Sequence, residues 1–159
     1  MGIIWSGAMY GTPIQFVTIG VNGLTCSMCT RSVEMSMRKL DFVDSVAMDL
    51  ANTEGRVYIK QGSLPDFKRI AHAITDAGFS VRFIHVNLDV QVLAVSPEGC
   101  FSIGQQLFQW IDLPAAFPKG IVELIVVGEG LMPRKEFMAR KKSLPRACSG
   151  GVANYVASR

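Results

Sequence analysis

Val17, Ile19 and Val21 alternate with Phe16, Thr18 and Gly20, which predicts a strand with one buried face. The turn dipeptide Asn22-Gly23 ends it. Cys29, Val33, Met37 and Leu40 then recur at helical spacing, predicting a helix over about 27–40. Alternation returns at Val46, Met48 and Leu50, breaks at Asn52-Thr-Glu-Gly55 and resumes at Val57 and Ile59, which predicts an antiparallel hairpin. Ser63 and Asp66 stand three apart as a capping box, with Pro65 in the first turn. Phe67, Ile70, Ile74 and Ala77 form the apolar stripe of a second helix, and Gly78 ends it. Phe79, Val81, Phe83 and His85 alternate as a fourth strand. Residues 14–86 therefore read β-α-β-β-α-β, an α+β ferredoxin-like sandwich with two helices on one face of an antiparallel sheet.

Beyond residue 86, Leu88 to Ala94 alternate, Ser96-Pro-Glu-Gly99 turns, and Leu107–Ile111 and Ile121–Val127 supply two further apolar stretches. A short basic helix is predicted over 133–142 and a last strand over 152–157. This order predicts a small β-rich domain over 87–159, with the three strands, helix and strand suiting a half-open barrel of the OB-like type. Residues 1–13 form a lead segment, and the chain shows no internal repeat.

The chemistry sits at Gly23-Leu-Thr-Cys26-Ser-Met-Cys29, where two thiols bridge a strand-end loop and the first turn of a helix. The unpaired N–H groups and positive dipole end of that helix stabilise a thiolate. Two sulfurs without a neighbouring imidazole or carboxylate make a poor four-ligand zinc site but suit Cu(I), with Hg(II) as a thiophilic competitor and Zn(II) as a further alternative. A thioredoxin-like redox pair or a plain disulfide are the rival readings, but the Trp and Pro of that redox motif are absent. Met28 is read as an exposed side chain rather than a third ligand. His72 and His85 stand at no ligand spacing to a cysteine and are left out of the site.

These residues resemble the heavy-metal-associated domain of copper chaperones and of the N-terminal modules of copper-transporting P-type ATPases. The marks are Gly-Leu-Thr-Cys-Ser-Met-Cys after the first strand, Arg31-Ser-Val-Glu34 in the helix and Asp76-Ala-Gly-Phe79 before the fourth strand, so the resemblance covers about residues 14–86. It implies Cu(I) held by Cys26 and Cys29 in an exposed loop, where the thiolates of a partner such as a copper ATPase take the ion by ligand exchange. It also implies supporting roles for Thr25 in the loop and for Phe79 beneath it. Leu24 replaces the family's usual Met behind the loop, a near-isosteric change costing less than about 1.5 kcal/mol.

Composition narrows the alternatives. Of 159 residues, 49% are hydrophobic and 18% charged, which excludes a disordered or coiled-coil chain. The longest strongly apolar run, Ile121–Val127, is far short of the ~20 residues of a membrane helix, so no span is predicted. The net charge of +3 gives no ground for a nucleic-acid partner. That charge is divided unevenly: residues 131–159 carry seven Lys or Arg against Glu136 alone. A solvated helix face, an acidic partner and an anionic membrane surface are the readings of this basic end.

The first 30 residues hold no charged side chain, and the opening lacks the basic start of a complete signal peptide; Ser6 and Ala8 suit the cleavage site of a truncated one. A periplasmic compartment is favoured over a cytoplasmic one. Cys100 and Cys148 pair if that compartment is oxidising and are free thiols otherwise. The leading expectation is a non-enzymatic Cu(I)-binding and transfer protein. A thiol-disulfide oxidoreductase, with Cys26 attacking and Cys29 resolving, and a metal-sensing or targeting module are the alternatives.

Overall fold

The computed structural model describes residues 13–151 and 154–159; the predicted lead segment, up to Thr12, and the start of the predicted last strand lie outside them. Strand β1 (Ile14–Asn22) leads into helix α1 (Ser27–Arg38), followed by β2 (Val43–Asp49), β3 (Glu54–Ile59), α2 (Phe67–Asp76) and β4 (Ser80–Asp89). Val17, Ile19 and Val21 of β1 and Ile84, Val86 and Leu88 of β4 are buried with Val33 and Met37 of α1 and Ile70 and Ile74 of α2 in one core. The βαββαβ sandwich expected for residues 14–86 is therefore present, with both helices on one sheet face.

Helix α2 starts differently from the capping box read in the sequence. Its N-cap is Asp66, whose carboxylate accepts the Arg69 N–H at 3.1 Å, and not Ser63. Pro65 restricts the residue before it to extended backbone, so the helix begins only after the proline.

Strand β4 departs from simple alternation. The register shifts between Gly20 opposite Phe83 and Val21 opposite Val81, leaving Arg82 as a bulged residue. Val81 thus joins the helix-side core, while Phe83 and His85 lie on the other face, their rings stacked 4.0 Å apart. Gly20 makes room for this arrangement, since a Cβ there would lie 2.5 Å from the Phe83 ring.

The second half contains β5 (Cys100–Ile103), β6 (Gln106–Trp110), β7 (Ile121–Val127), helix α3 (Arg134–Lys141) and β8 (Asn154–Ser158). The half-open barrel is not formed. All eight strands make one open sheet in the order β2-β3-β1-β4-β7-β8-β6-β5. The boundary drawn at 86/87 falls inside β4, which pairs with β1 on one edge and β7 on the other. The strand expected over 88–94 is the end of β4 followed by a single 3-10 turn at Val90–Val92, because the Asp89 carboxylate accepts the Gln91 N–H at 3.1 Å and turns the chain. The β5–β6 hairpin closes through Gly104-Gln105 with Gly104 at φ 56°, which suits a II′ turn.

The two halves share a core. Phe67 of α2 meets Phe108 of β6 edge-on at 6.2 Å, Phe108 stacks on Phe101 of β5 at 5.2 Å, and Gln106 Nε2 donates to Pro65 O at 3.1 Å. Helix α3 packs on the opposite face, where Phe137 is buried with Val127, Met132 and Ala157.

Cys100 and Cys148 form a disulfide that ties edge strand β5 to the loop between α3 and β8. It resolves the choice the sequence left open. Because the bridge spans a sequence separation of 48, loop-closure entropy predicts that Cys100→Ser with Cys148→Ser lowers stability by about 4 kcal/mol. The urea midpoint should drop accordingly, and an unchanged midpoint would show that the bridge constrains the unfolded chain little.

Candidate metal centre

The site is built where β1 ends. Gly23 adopts φ 94°, a conformation that disfavours any other residue, and turns the chain out of the sheet. Leu24 then dips back into the core at 5% exposure, anchoring the loop from behind. Thr25 and Cys26 are exposed. Cys26 is the N-cap of α1 in extended conformation, and its carbonyl accepts the N–H groups of Cys29 at 3.1 Å and Thr30 at 3.3 Å. No side chain caps this helix end, so its first N–H groups and dipole face the loop.

Cys29 occupies the third helical position and is half-buried against the core, whereas Cys26 is exposed. Their Sγ atoms lie 2.7 Å apart. The Cys26 thiol beside it is the main reason that the Cys29 thiol titrates below its ordinary value; hydrogen bonding from the Thr25 backbone adds to this, and its side chain adds a smaller share. The sequence thus places the two sulfurs together, and the structure gives them unequal surroundings: Cys29 is half-buried against the core, whereas Cys26 is exposed at the rim. Alkylation of the reduced chain should label Cys29 at lower pH than an ordinary cysteine, and Cys26→Ala should move that profile upward. Mass-spectrometric mapping of the label against pH checks this, and coincident profiles in both proteins would contradict the coupling.

At metal–sulfur distances of ~2.3 Å, two thiolates facing each other across one ion stand farther apart than this pair does. A rotation at Cys26 opens it, which its exposed position permits. Two soft sulfur donors with room for an incoming third fit a thiophilic monovalent ion. Among the described residues, no group of three or more His, Cys, Asp or Glu could hold a metal ion.

Phe79 reaches the loop through the end of α2. Gly78, at φ 93°, donates to Thr75 O at 3.0 Å and Phe79 N–H donates to Ile74 O at 3.2 Å, a Schellman motif that turns the chain sharply into β4. The Phe79 ring is thereby brought under Gly23, where an added Cβ would sit 3.3 Å from it. Met28 is 70% exposed on the first turn of α1. His72 lies exposed on α2. His85 is buried on β4 with Nδ1 2.8 Å from Glu123 Oε1, and burial keeps its pKa below the ordinary value despite that carboxylate.

No family model matches the chain. Parts of it are similar in sequence to three copper ATPases: 33% identity over 70 residues with a probable copper-exporting P-type ATPase of Archaeoglobus fulgidus, 32% over 72 with the probable copper-transporting ATPase HMA5 of Arabidopsis thaliana, and 32% over 75 with copper-transporting ATPase 1 of Rhizobium meliloti. These matches cover 44–47% of this chain but only 7–9% of the relatives' lengths. Among solved structures, the yeast copper transporter domain CCC2A is 29% identical with a TM-score of 0.38, covering 41% of this chain and 88% of that one. The CopZ metallochaperone is 27% identical with a TM-score of 0.39, covering 42% and 97%. The metal-loop half of the chain resembles the heavy-metal-associated domain, as its motif indicates.

Proposed function

We propose that this chain binds Cu(I) through Cys26 and Cys29 and passes the ion to a partner protein with its own thiolate pair, without catalysing a reaction. The observation that carries the reading is the sulfur pair at the uncapped N-terminus of α1, one thiol half-buried with lowered pKa and the other exposed. An exposed ligand is what exchange requires, since an incoming thiolate must reach the ion before Cys26 lets go. The copper ATPases similar to this segment support copper over Hg(II) or Zn(II) as the cargo. The Cys100–Cys148 disulfide supports an oxidising compartment such as the periplasm. Among the described residues, no helix is long and apolar enough to cross a membrane.

The test is an anaerobic Cu(I) competition against a chromophoric chelator, on the wild type with Cys26 and Cys29 reduced and on the Cys26→Ser, Cys29→Ser protein. One equivalent held by the wild type and none by the variant is expected. The close Sγ approach favours one second reading, thiol-disulfide exchange with Cys26 attacking and Cys29 resolving. Failure of the wild type to compete for copper, together with turnover of a model disulfide, would replace the transfer reading with this one.

A further inference from the structure

The copper site leaves the basic end of the chain unused, and α3 gives that charge an ordered shape. At 100° per residue, Arg134, Lys135, Met138, Lys141 and Lys142 fall within an arc of about 120°. All five are exposed, while Phe137 faces the sheet and is buried. The one acid of the helix, Glu136, lies outside this arc and is paired with Arg140 at 3.4 Å. No ion pair is found for Arg134, Lys135, Lys141 or Lys142 among the described residues. Met138, 47% exposed, stands at the centre of the arc.

We propose that this exposed basic face of α3 is a docking surface for anionic phospholipid headgroups. Two features select a lipid surface over other polyanions. The side chain at the centre of the arc, Met138, is an unbranched apolar one flanked by long cationic stems, so that an apolar contact at the headgroup level can accompany the charges. The only aromatic residue of α3, Phe137, points inward, so the face offers nothing on which a nucleic-acid base could stack. Exposed Lys and Arg near an anionic leaflet act additively, and four unpaired ones suffice for salt-sensitive adsorption without insertion of a span. The helix leaves β7 at the sheet end towards Ser80 of β4, which is also the end carrying the Cys26–Cys29 loop. The docking itself needs no copper.

The experiment is co-sedimentation of the full, disulfide-bonded chain with vesicles of equimolar phosphatidylglycerol and phosphatidylcholine or of phosphatidylcholine alone. Binding to the anionic vesicles only is expected, lost in about 1 M salt, where the screening length is ~3 Å. The Arg134→Ala, Lys135→Ala, Lys141→Ala, Lys142→Ala protein should partition at least about 100-fold more weakly. Its circular dichroism and thermal transition should match the wild type, because none of the four side chains is buried. Met138→Gln should weaken binding without changing its salt dependence. The Cys26→Ser, Cys29→Ser protein should bind vesicles as the wild type does, which separates this inference from the copper reading. Equal binding to both vesicle types, no binding to either, unchanged binding by the folded quadruple variant, or tighter binding to an oligonucleotide or polyglutamate at the same salt would each overturn it.

Discussion

Replacing Cys29 by serine is expected to lower Cu(I) affinity by well over 100-fold. Removing only a partner that supports a metal ligand costs roughly 10–100-fold, and a lost ligand must exceed that. A serine hydroxyl is a hard donor that stays protonated at neutral pH, so it replaces neither the softness nor the charge of the thiolate. Cys26→Ser should cost about as much, because a two-sulfur site has no spare donor: Met28, between the cysteines in sequence, is a thioether turned to solvent. Thr25→Ala is the contrasting control. It deletes the weakest of the hydrogen bonds holding the Cys29 pKa down while leaving the backbone one, so affinity should fall by no more than about tenfold. Chelator competition on the three variants measures all of this. Retention of wild-type affinity within about tenfold by either serine variant would remove that cysteine from the site. Affinity should also weaken as pH falls, since protons compete for the thiolates.

The metal loop and the fold around it were legible because each is written locally. Two thiols at fixed spacing, a Gly before them, a helix stripe after them and a Gly stop ahead of Phe79 all act within a few residues. What the sequence hid was non-local. Alternation through Phe79, Val81, Phe83 and His85 reads as one face, but the bulge at Arg82 exists because β1 pairs with β4 across Gly20, a fact of register. Strand β5 has only four residues, Cys100–Ile103, too few for alternation to stand out before its partner β6 is known. Val90 and Val92 look like strand positions until the Asp89 carboxylate captures the Gln91 N–H. Nothing local says that β7 will pair with β4 rather than close a barrel with its own neighbours. The Cys100–Cys148 bridge is of the same kind, since 48 intervening residues leave its geometry unspecified.

That continuity of the sheet leads to the largest expected stability effect. Phe108→Ala should destabilise the chain by about 3–5 kcal/mol, the usual cost of emptying a buried aromatic site. Phe108 is 0% exposed and fills the space between Phe67 of α2 and Phe101 of β5, so its removal opens a cavity at the seam and not at a margin. Neither wall can collapse freely. Phe67 sits on a helix whose N-terminus is fixed by the Asp66 cap, and Phe101 sits on a strand tied by the disulfide. A loss of this size is a large share of the ~5–15 kcal/mol that stabilises a typical domain. If the eight strands unfold as one unit, the loss reaches residues far from the cavity. Hydrogen exchange should then show the amides of Val17 and Val57, in the metal-loop half, losing as much protection as Val156 of β8, and urea unfolding should stay a single transition with its midpoint lowered. Protection lost at Val156 but kept at Val17 and Val57 would mean instead that the shared sheet joins two independently unfolding halves. The copper-loop half would then keep its fold, and its ion, when the other opens.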